Sequence, residues 1–196
     1  MNESEFHLCT IAPPGVAWLT LNRPDKRNAL TRTLLADLLV DVRKLSANRD
    51  VRAIVLKASG PVFCAGMDLA EMQEVAASPD AEAFWNQDAQ LFCDLLTALF
   101  TAPKPVLASL QGPVLAGGVG LVLACDLVLA AEEAYFALPE PRRGIVASIV
   151  TPLLAYRAGA GGASSLLLSG ERVTVQRARE WGLCHDVVAA DDLTGR

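Results

Sequence analysis

Two glycine-containing segments have residue types that can stabilise a negative charge. They read FCAGMDL at residues 63–69 and LAGGVGL at residues 115–121, and each follows an apolar run and leads into a stretch suited to a helix. Glycine lets another atom approach the backbone closely, and the first amides of a helix are unpaired donors at the positive end of its dipole. If the two segments face each other, one amide from each can hold a single oxygen that becomes negative during a reaction, which is an oxyanion hole.

Glu140, in LPEPRRG at residues 138–144, is the candidate for proton transfer. It lies between two prolines in a mostly apolar run, and such surroundings disfavour the charged carboxylate and raise its pKa toward the range of a working acid or base. The alternative is an exposed glutamate in a proline turn. The neighbouring Arg142 and Arg143 are either surface cations or a receptor for a carboxylate on a substrate.

Three further side chains resemble catalytic groups. Asp68 and Asp126 follow the glycine segments, where short acids usually bond to nearby backbone amides, so we interpret both as structural. Cys64 lies in the first segment, but the two histidines of the chain, His7 and His185, are far from it in sequence, which favours a buried thiol over a nucleophile. We find no P-loop, GxGxxG or metal-ligand pattern, so we predict neither a nucleotide cofactor nor a metal site.

Composition narrows the class of protein. The chain has 196 residues, 52% of them hydrophobic and 20% charged, which predicts one globular domain over residues 1–196. The net charge of −5 disfavours a general nucleic-acid or anionic-membrane binder. The five cysteines have no CxxC spacing, and the N-terminus lacks a basic segment followed by an apolar one, so we expect a cytoplasmic protein.

The elements that must position these residues alternate along the chain. Residues 112–130 are apolar enough for a membrane span, but they contain four glycines, a proline and Asp126, so we interpret them as buried core. A helix after the turn at 22–28 has apolar residues at helical spacing, namely Leu30, Leu34, Leu35, Leu38, Leu39, Val42 and Leu45. Further helices are predicted at 80–101, from 117, at 147–159 and at 163–170, and strands at 16–21, 51–59, 106–110, 127–130, 134–138 and 184–188. This rhythm predicts an α/β fold with a largely buried sheet.

Four segments of the chain occur in the order typical of one enzyme family. They are NRPDKRNAL (22–30), FCAGMDLAEM (63–72), GPVLAGGVGLVLACDLVLA (112–130) and FALPEPRRGI (136–145). In these segments the chain resembles the crotonase, or enoyl-CoA hydratase/isomerase, family over nearly its whole length. The resemblance implies a spiral of ββα units, an acyl-CoA thioester as the substrate, and an enolate stabilised at the thioester oxygen, with CoA as part of the substrate and no separate cofactor.

The resemblance also implies roles for individual residues. The backbone amides of Met67 and Gly117 become the oxyanion donors, and Glu140 becomes the catalytic glutamate. Along the substrate it places Arg23, Lys26 and Arg27, as cations for the CoA phosphates, and the loop residues Ala65, Gly66, Asp68, Leu69, Gly118 and Gly120.

Gly120 departs from the pattern of typical hydratases, which carry a second glutamate there to help hold the added water. Isomerases of the family commonly work with a single glutamate at the position of Glu140. The segments GGVGL and EPRRGIVASIVTP instead resemble hydratases of branched or glutaconyl-type esters. We therefore expect a hydratase, with an isomerase as the alternative.

The length of the chain raises a further alternative. Members of the family usually continue about sixty residues beyond the segment HDVVAADDL and form trimers or pairs of trimers, so the C-terminal helical part is expected to be short here. The expectation is a homotrimer or hexamer that binds an acyl-CoA thioester, not a nucleic acid or a membrane. The other possibility is a non-catalytic acyl-CoA binder or assembly partner.

Overall fold

A computed structural model describes residues 6–193 and shows strands and helices that alternate along the chain. The strands are β1 His7–Ala12, β2 Val16–Leu21, β3 Ala53–Ala58, β4 Val106–Leu110, β5 Val114–Leu115, β6 Leu127–Ala131, β7 Tyr135–Ala137, β8 Val173–Thr174 and β9 Asp186–Val188. The α-helices are α1 Arg32–Ala47, α2 Leu69–Ala76, α3 Ala81–Phe100, α4 Gly117–Leu123, α5 Thr151–Ser169 and α6 Val175–Glu180.

Two sheets organise the fold. The larger has the order β1-β2-β3-β4-β6-β9, with β1 antiparallel to β2 and the remaining pairs parallel. The smaller has the order β5-β7-β8. The chain passes from β4 of the large sheet to β5 of the small sheet and then into α4. It repeats the passage from the large to the small sheet in β6 and β7. The predicted α/β spiral is confirmed.

Helix α1 shows how sequence places one layer on the sheet. Thr31 caps its first turn by accepting a hydrogen bond from the Leu34 amide. The predicted apolar stripe is buried, and α1 packs against α3. Leu30, which we predicted in this helix, lies before the cap and forms a parallel β-bridge with Met67. The helix therefore begins two residues later than its apolar pattern suggested.

Helix α5 covers most of the two helices predicted at 147–159 and 163–170, but it begins at Thr151, four residues later than predicted. Gly159 interrupts it with φ 67° and ψ 174°, a conformation outside the helical region, and so separates two helical parts. No helix within residues 6–193 is long and apolar enough to cross a membrane. Residues 112–130 instead form β5, α4 and most of β6, with every residue of α4 buried.

Four elements were not predicted from the sequence: β1, β5, β8 and α6. Helix α2 was expected only as a stretch suited to a helix after the first glycine segment, without bounds. Strand β1 forms an edge of the large sheet and exposes three of its six residues, so its sequence lacks a clear apolar alternation. Strand β8 has two residues, and α2 and α6 have eight and six, which is too short for a distinct helical period. Helix α2 nevertheless matters for the site, because it begins directly after the first glycine segment.

Candidate active site

The two glycine segments lie against each other. The Leu115 amide donates a hydrogen bond to the Cys64 carbonyl at 2.9 Å, which joins the segments side by side. Gly66 has φ +88°, and a Cβ added there would lie 2.5 Å from Ala116 Cβ and 3.1 Å from the Gly117 nitrogen. Only glycine fits this position, because both the backbone conformation and the close approach of the second segment exclude a side chain.

Met67 and Gly117 carry the free amides at this junction. Within residues 6–193, neither amide donates a hydrogen bond to another protein group. Gly66 directly precedes Met67, so standard backbone dimensions and the approach of Gly66 to Gly117 limit the separation of the two nitrogens to about 7 Å. The Gly117 amide is also the first of α4, at the positive end of that helix.

The backbone conformation of Ala116 sets the direction of the second glycine segment. Its φ of 50° and ψ of −128° lie in a region that residues with a Cβ rarely adopt, and its amide is fixed by a 3.0 Å hydrogen bond to the Ala137 carbonyl. Strained backbone of this kind persists where the surrounding structure enforces it, and it concentrates at functional sites. The strain turns the chain sharply from β5 into α4 and leaves the Gly117 amide at the start of the helix.

Glu140 follows the strand that pairs with the second glycine segment. Leu115 of β5 pairs with Ala137 of β7, and Glu140 follows Ala137 by three residues, at the start of a short 3-10 helix. Its Oε2 atom is buried and has no hydrogen-bond partner among the described residues. Burial raises the pKa of Glu140 above its ordinary value of 4.5, although its own backbone amide and the charge of Arg143 oppose the shift. A half-buried carboxyl with one buried and unused oxygen is suited to exchanging a proton with a ligand.

Comparisons with known proteins identify the family of the chain. The family model described as enoyl-CoA hydratase/isomerase matches residues 12–196. The chain is 37% identical to the 2,3-dehydroadipyl-CoA hydratase of Escherichia coli over 90% of its own length and 67% of that protein. A crystal structure of an enoyl-CoA hydratase from Mycobacterium smegmatis superposes with a TM-score of 0.91 at 36% identity, covering 97% of this chain and 72% of that one.

The chain belongs to the enoyl-CoA hydratase/isomerase family. The family contains more than one chemistry, because the chain is also 32% identical, over its full length and 71% of the relative, to the 4-chlorobenzoyl coenzyme A dehalogenase-2 of an Arthrobacter species. Membership of this family identifies the chain as one of the acyl-CoA enzymes, but the reaction depends on the residues of the site.

A polar clamp holds the first segment of this hydratase/isomerase chain. Asn28 is fully buried; its Oδ1 accepts from the Arg23 amide, and its Nδ2 donates to the carbonyls of Ser59 and Val62, each at 2.8 Å. The Leu30 amide donates to the Gly66 carbonyl at 2.8 Å. The turn after β2 thus fixes the segment that carries Met67. Sequence reasoning missed Asn28, although an asparagine in a turn between apolar runs was the available signal.

Asp68 and Arg23 form part of the same clamp. Asp68 caps α2 by accepting from the Ala70 and Glu71 amides, which confirms the structural interpretation, and it pairs with Arg23 at 3.1 Å. Burial alone would raise the pKa of Asp68, but the hydrogen bonds from Arg23 and the two amides lower it below its ordinary value of 3.8. The Arg23 guanidinium also donates to the Ala29 carbonyl. Arg23 is therefore held inside the protein, whereas Lys26 and Arg27 of the same turn are exposed.

Cys64 is a packing residue. It is fully buried, and burial raises the pKa of its thiol to about 12. Its Sγ donates to the Asn28 carbonyl and accepts from the Gly66 amide. His7 bonds to Asp41, and His185 accepts from the Val128 amide, so neither histidine is a base for this thiol.

The remaining predicted residues differ in their exposure. Ala65 is partly buried, and Leu69, Arg142 and Arg143 are exposed. Gly118 is buried against Cys64, where an added Cβ would lie 2.7 Å from the Cys64 Cβ. Gly118 thus serves the packing of the two segments against each other.

Gly120 faces apolar side chains that sequence patterns could not locate. A Cβ at Gly120 would lie 2.7 Å from Val150 Cγ1, 3.1 Å from Phe92 Cζ and 3.4 Å from Leu96 Cδ1. Phe92 Cζ is also 3.5 Å from the position of a Cβ at Gly117. The face of α4 that contains both glycines is therefore covered by α3 and by the residue before α5, and no side chain larger than hydrogen fits at position 120 without movement.

Proposed function

We propose that the protein binds an acyl-CoA thioester and hydrates its 2,3 double bond, with Glu140 as the acid–base group. The observations that support this most directly are the unpartnered, buried Oε2 of Glu140, three residues beyond the strand that pairs with the second glycine segment, and the two free amides of Met67 and Gly117. A carboxyl that has no protein partner is available to a reacting molecule.

The proposed reaction passes through an enolate. Glu140 accepts a proton from a water molecule as the water oxygen bonds to C3 of the 2-enoyl ester, and the electron pair of the double bond moves to the thioester oxygen. The Met67 and Gly117 amides stabilise that oxygen, and such a donor contributes roughly 3 kcal/mol to transition-state stabilisation in comparable sites. Glu140 then returns the proton to C2, so that the elements of water are added overall.

The names of relatives support hydration over other reactions. The relative from Escherichia coli is named a 2,3-dehydroadipyl-CoA hydratase. We further propose that the exposed cations Lys26 and Arg27 meet the CoA phosphates and that the protein works as a trimer or a pair of trimers in the cytoplasm. The finer substrate proposal is a branched acyl chain or a glutaconyl-type one. In the second case Arg142 or Arg143 would bind the carboxylate at the far end of the chain.

A second candidate reaction is the movement of a double bond from C3 to C2. The crowding of Gly120 by Val150 and Phe92 favours it, because it leaves no room for a second carboxylate at that position. Glu140 would remove a proton from C2 of a 3-enoyl ester and return it to C4, with a dienolate, whose charge lies on the same thioester oxygen, as the intermediate. This reaction requires no water in the site.

The central test is Glu140→Gln. We expect kcat to fall by about 10²- to 10⁴-fold with a smaller change in substrate binding, because glutamine keeps the shape but cannot exchange the proton. Since burial raises the pKa of Glu140, the acid limb of kcat/KM should lie above 4.5 and disappear in the variant. Binding of acyl-CoA without turnover by the unmutated protein would instead support a non-catalytic binder.

Incubation in D₂O distinguishes the two reactions. The protein is given a 2-enoyl-CoA and, separately, a 3-enoyl-CoA, including a glutaconyl-type ester, and the products are weighed by mass spectrometry. Gain of water by the 2-enoyl ester supports the hydratase. Migration of the double bond without water gain replaces it with the isomerase.

The oxyanion assignment is tested by Gly117→Val. A Cβ at this position makes only ordinary contacts, 3.5 Å or more from Phe92, Leu30 and Met67, so Gly117→Ala is a control that should fold. The branched side chain of valine crowds the approach to the amide, and we expect kcat to fall by about 10²- to 10³-fold. Circular dichroism checks folding, and a folded valine variant with near-normal activity would remove the assignment.

A further inference from the structure

The two ends of α4 meet different groups. Its first amide, that of Gly117, is the candidate oxyanion donor, and its last residue is Leu123. The last four carbonyls of a helix have no partner within the helix. Those of residues 120–122 accept from backbone amides or a thiol just beyond the helix. The Leu123 carbonyl therefore needs a partner from another element.

Arg157 of α5 is that partner. Its Nε donates to the Leu123 carbonyl at 3.3 Å, and its Nη2 donates to the Cys125 carbonyl. Arg157 is partly buried, and no carboxylate within residues 6–193 is close enough to form an ion pair with it. Its positive charge therefore faces the negative end of the α4 dipole instead of an acidic side chain.

The charge of Arg157 acts on the groups around the end of α4. Burial raises the pKa of the Cys125 thiol to about 12, the charge of Asp126 adds to the rise, and Arg157 opposes it. Burial lowers the pKa of His185 below its ordinary value of 6.5, and Arg157 lowers it further. Because every residue of α4 is buried, solvent ions screen this charge little along the helix.

We infer that Arg157 is a positioning residue for the oxyanion site, because it fixes α4 at its C-terminal end and supports negative charge at the Gly117 amide through the helix. The inference rests on the proposed acyl-CoA function. The seven residues of α4 span about 10 Å, so the guanidinium lies on the order of 15 Å from an oxygen bound at that amide. At the effective dielectric constant of protein sites, a positive charge at this distance favours an enolate by about five- to tenfold.

Acetoacetyl-CoA tests this inference, because it forms an enolate but has no 2,3 double bond to hydrate. Its enolate arises when C2 loses a proton to solvent and the thioester oxygen takes a share of the negative charge. The enolate absorbs at longer wavelength than the keto form. The pH midpoint of this absorbance on the bound ester therefore measures how well the site stabilises the oxyanion.

Two substitutions at Arg157 separate its charge from its hydrogen bonds. Arg157→Gln removes the charge but keeps a donor for the carbonyls, and it should raise the pH midpoint by about 0.7 to 1 pH unit. With an enoyl-CoA ester, its kcat should fall by about five- to tenfold while KM stays within about twofold, because the enolate is affected more than the bound ester. Arg157→Lys keeps the charge and should shift the midpoint by less than half as much.

Lys104→Gln is the matched control. Lys104 Nζ donates to the carbonyls of Leu45 and Asn48 at the end of α1, so this cation also caps the last turn of a helix. Helix α1 carries neither of the candidate oxyanion amides. The substitution should lower the stability of the protein and leave the pH midpoint unchanged.

Asp126→Asn covers the case in which Arg157→Gln does not fold. Asp126 is exposed, and its Oδ2 accepts from the Val106 amide at 2.8 Å, a bond that the amide oxygen of asparagine can keep. Removing this negative charge next to the end of α4 should lower the midpoint by a few tenths of a pH unit. The shift is opposite in sign to that of Arg157→Gln and smaller, because solvent screens an exposed charge.

The outcomes separate the inference from the proposed function. If the unmutated protein binds the enolate and the folded Arg157→Gln and Asp126→Asn variants keep its midpoint, the inference is overturned while the proposed function stands. Equal shifts in Arg157→Gln and Arg157→Lys, or in Arg157→Gln and Lys104→Gln, also overturn it. If the unmutated protein gives no enolate band at any pH, the oxyanion assignment of the proposed function is lost and the inference with it. Opposite shifts at Arg157 and Asp126, with none at Lys104, support the role of Arg157.

Discussion

The two glycine segments look alike in sequence but are held in different ways. The first, around Gly66 and Met67, is fixed by a polar clamp made of Asn28, Arg23 and Asp68. The second, around Gly117 and Gly120, has no side-chain cap on its helix and is held by close packing against Cys64, Phe92 and Val150. Hydrogen bonds therefore position one candidate oxyanion donor, whereas steric fit positions the other.

The largest expected effect is at Gly66, where the two segments touch. Gly66→Ala should lower the free energy of unfolding by about 4 kcal/mol, because the positive φ and the overlap with Ala116 both oppose a side chain. The matched control is Gly144→Ala, with φ +69° and no atom within 4 Å of the added Cβ, which should cost about 1 kcal/mol. Urea unfolding measures both, and equal costs would show that the contact between the segments is not tight.

The polar clamp is tested at Asn28. Asn28→Ala should cost about 3 kcal/mol in urea unfolding, because it leaves the Arg23 amide and the carbonyls of Ser59 and Val62 without partners. Asn48→Ala removes one exposed hydrogen bond, to the Asp50 amide, and should cost less than about 1 kcal/mol. A cost at Asn28 no larger than at Asn48 would contradict the idea that hydrogen bonds hold the first segment.

The smallest effect concerns charge. Asp68→Asn should cost about 1 kcal/mol near neutral pH, because it removes the partly buried pair with Arg23 while keeping a capping side chain. The folded-state pKa of Asp68 is lowered, so its stabilisation is complete above the unfolded-state pKa and is lost as the pH falls through the folded-state pKa. The difference between the two proteins should thus shrink in acid.

Chemical unfolding at several pH values measures this difference. Glu180→Gln, which removes the exposed pair with Arg177, is the control and should change nothing measurable. A difference at Asp68 that is constant with pH would mean that its charge does not support the first segment.

Sequence patterns predicted the parts of the fold that depend on local periodicity. The apolar run of β2 and the leucine stripe of α1 were sufficient, because burial on one side imposes a regular spacing on the residues. Strand β1 was missed because an edge strand with exposed residues on both sides carries little periodic signal. The glycine segments and Glu140 were found as candidates by residue type, and their roles came from the family resemblance.

Sequence patterns did not predict which residues the site residues contact. In the sequence, Arg23 looks equivalent to Lys26 and Arg27, the other cations of the same turn. Its partner in the structure is Asp68, which lies 45 residues away along the chain. Gly120 stands out in the sequence because typical hydratases carry a glutamate at this position. The atoms that fill the space beside it come from Phe92 and Val150, which lie outside α4. Such contacts depend on how elements pack together, which no spacing along one segment encodes.

The hydrogen bonds that join the site connect distant parts of the chain, and this has a consequence for folding kinetics. Leu30 bonds to Gly66, Cys64 to Leu115 and Ala116 to Ala137, so the pocket closes three large loops of chain. Contacts between distant residues form slowly, because the entropy of loop closure is lost before the contacts stabilise the structure. The candidate oxyanion amides therefore come together only when these loops have closed, and we expect the binding of an acyl-CoA ester to report on a stage of refolding that follows loop closure.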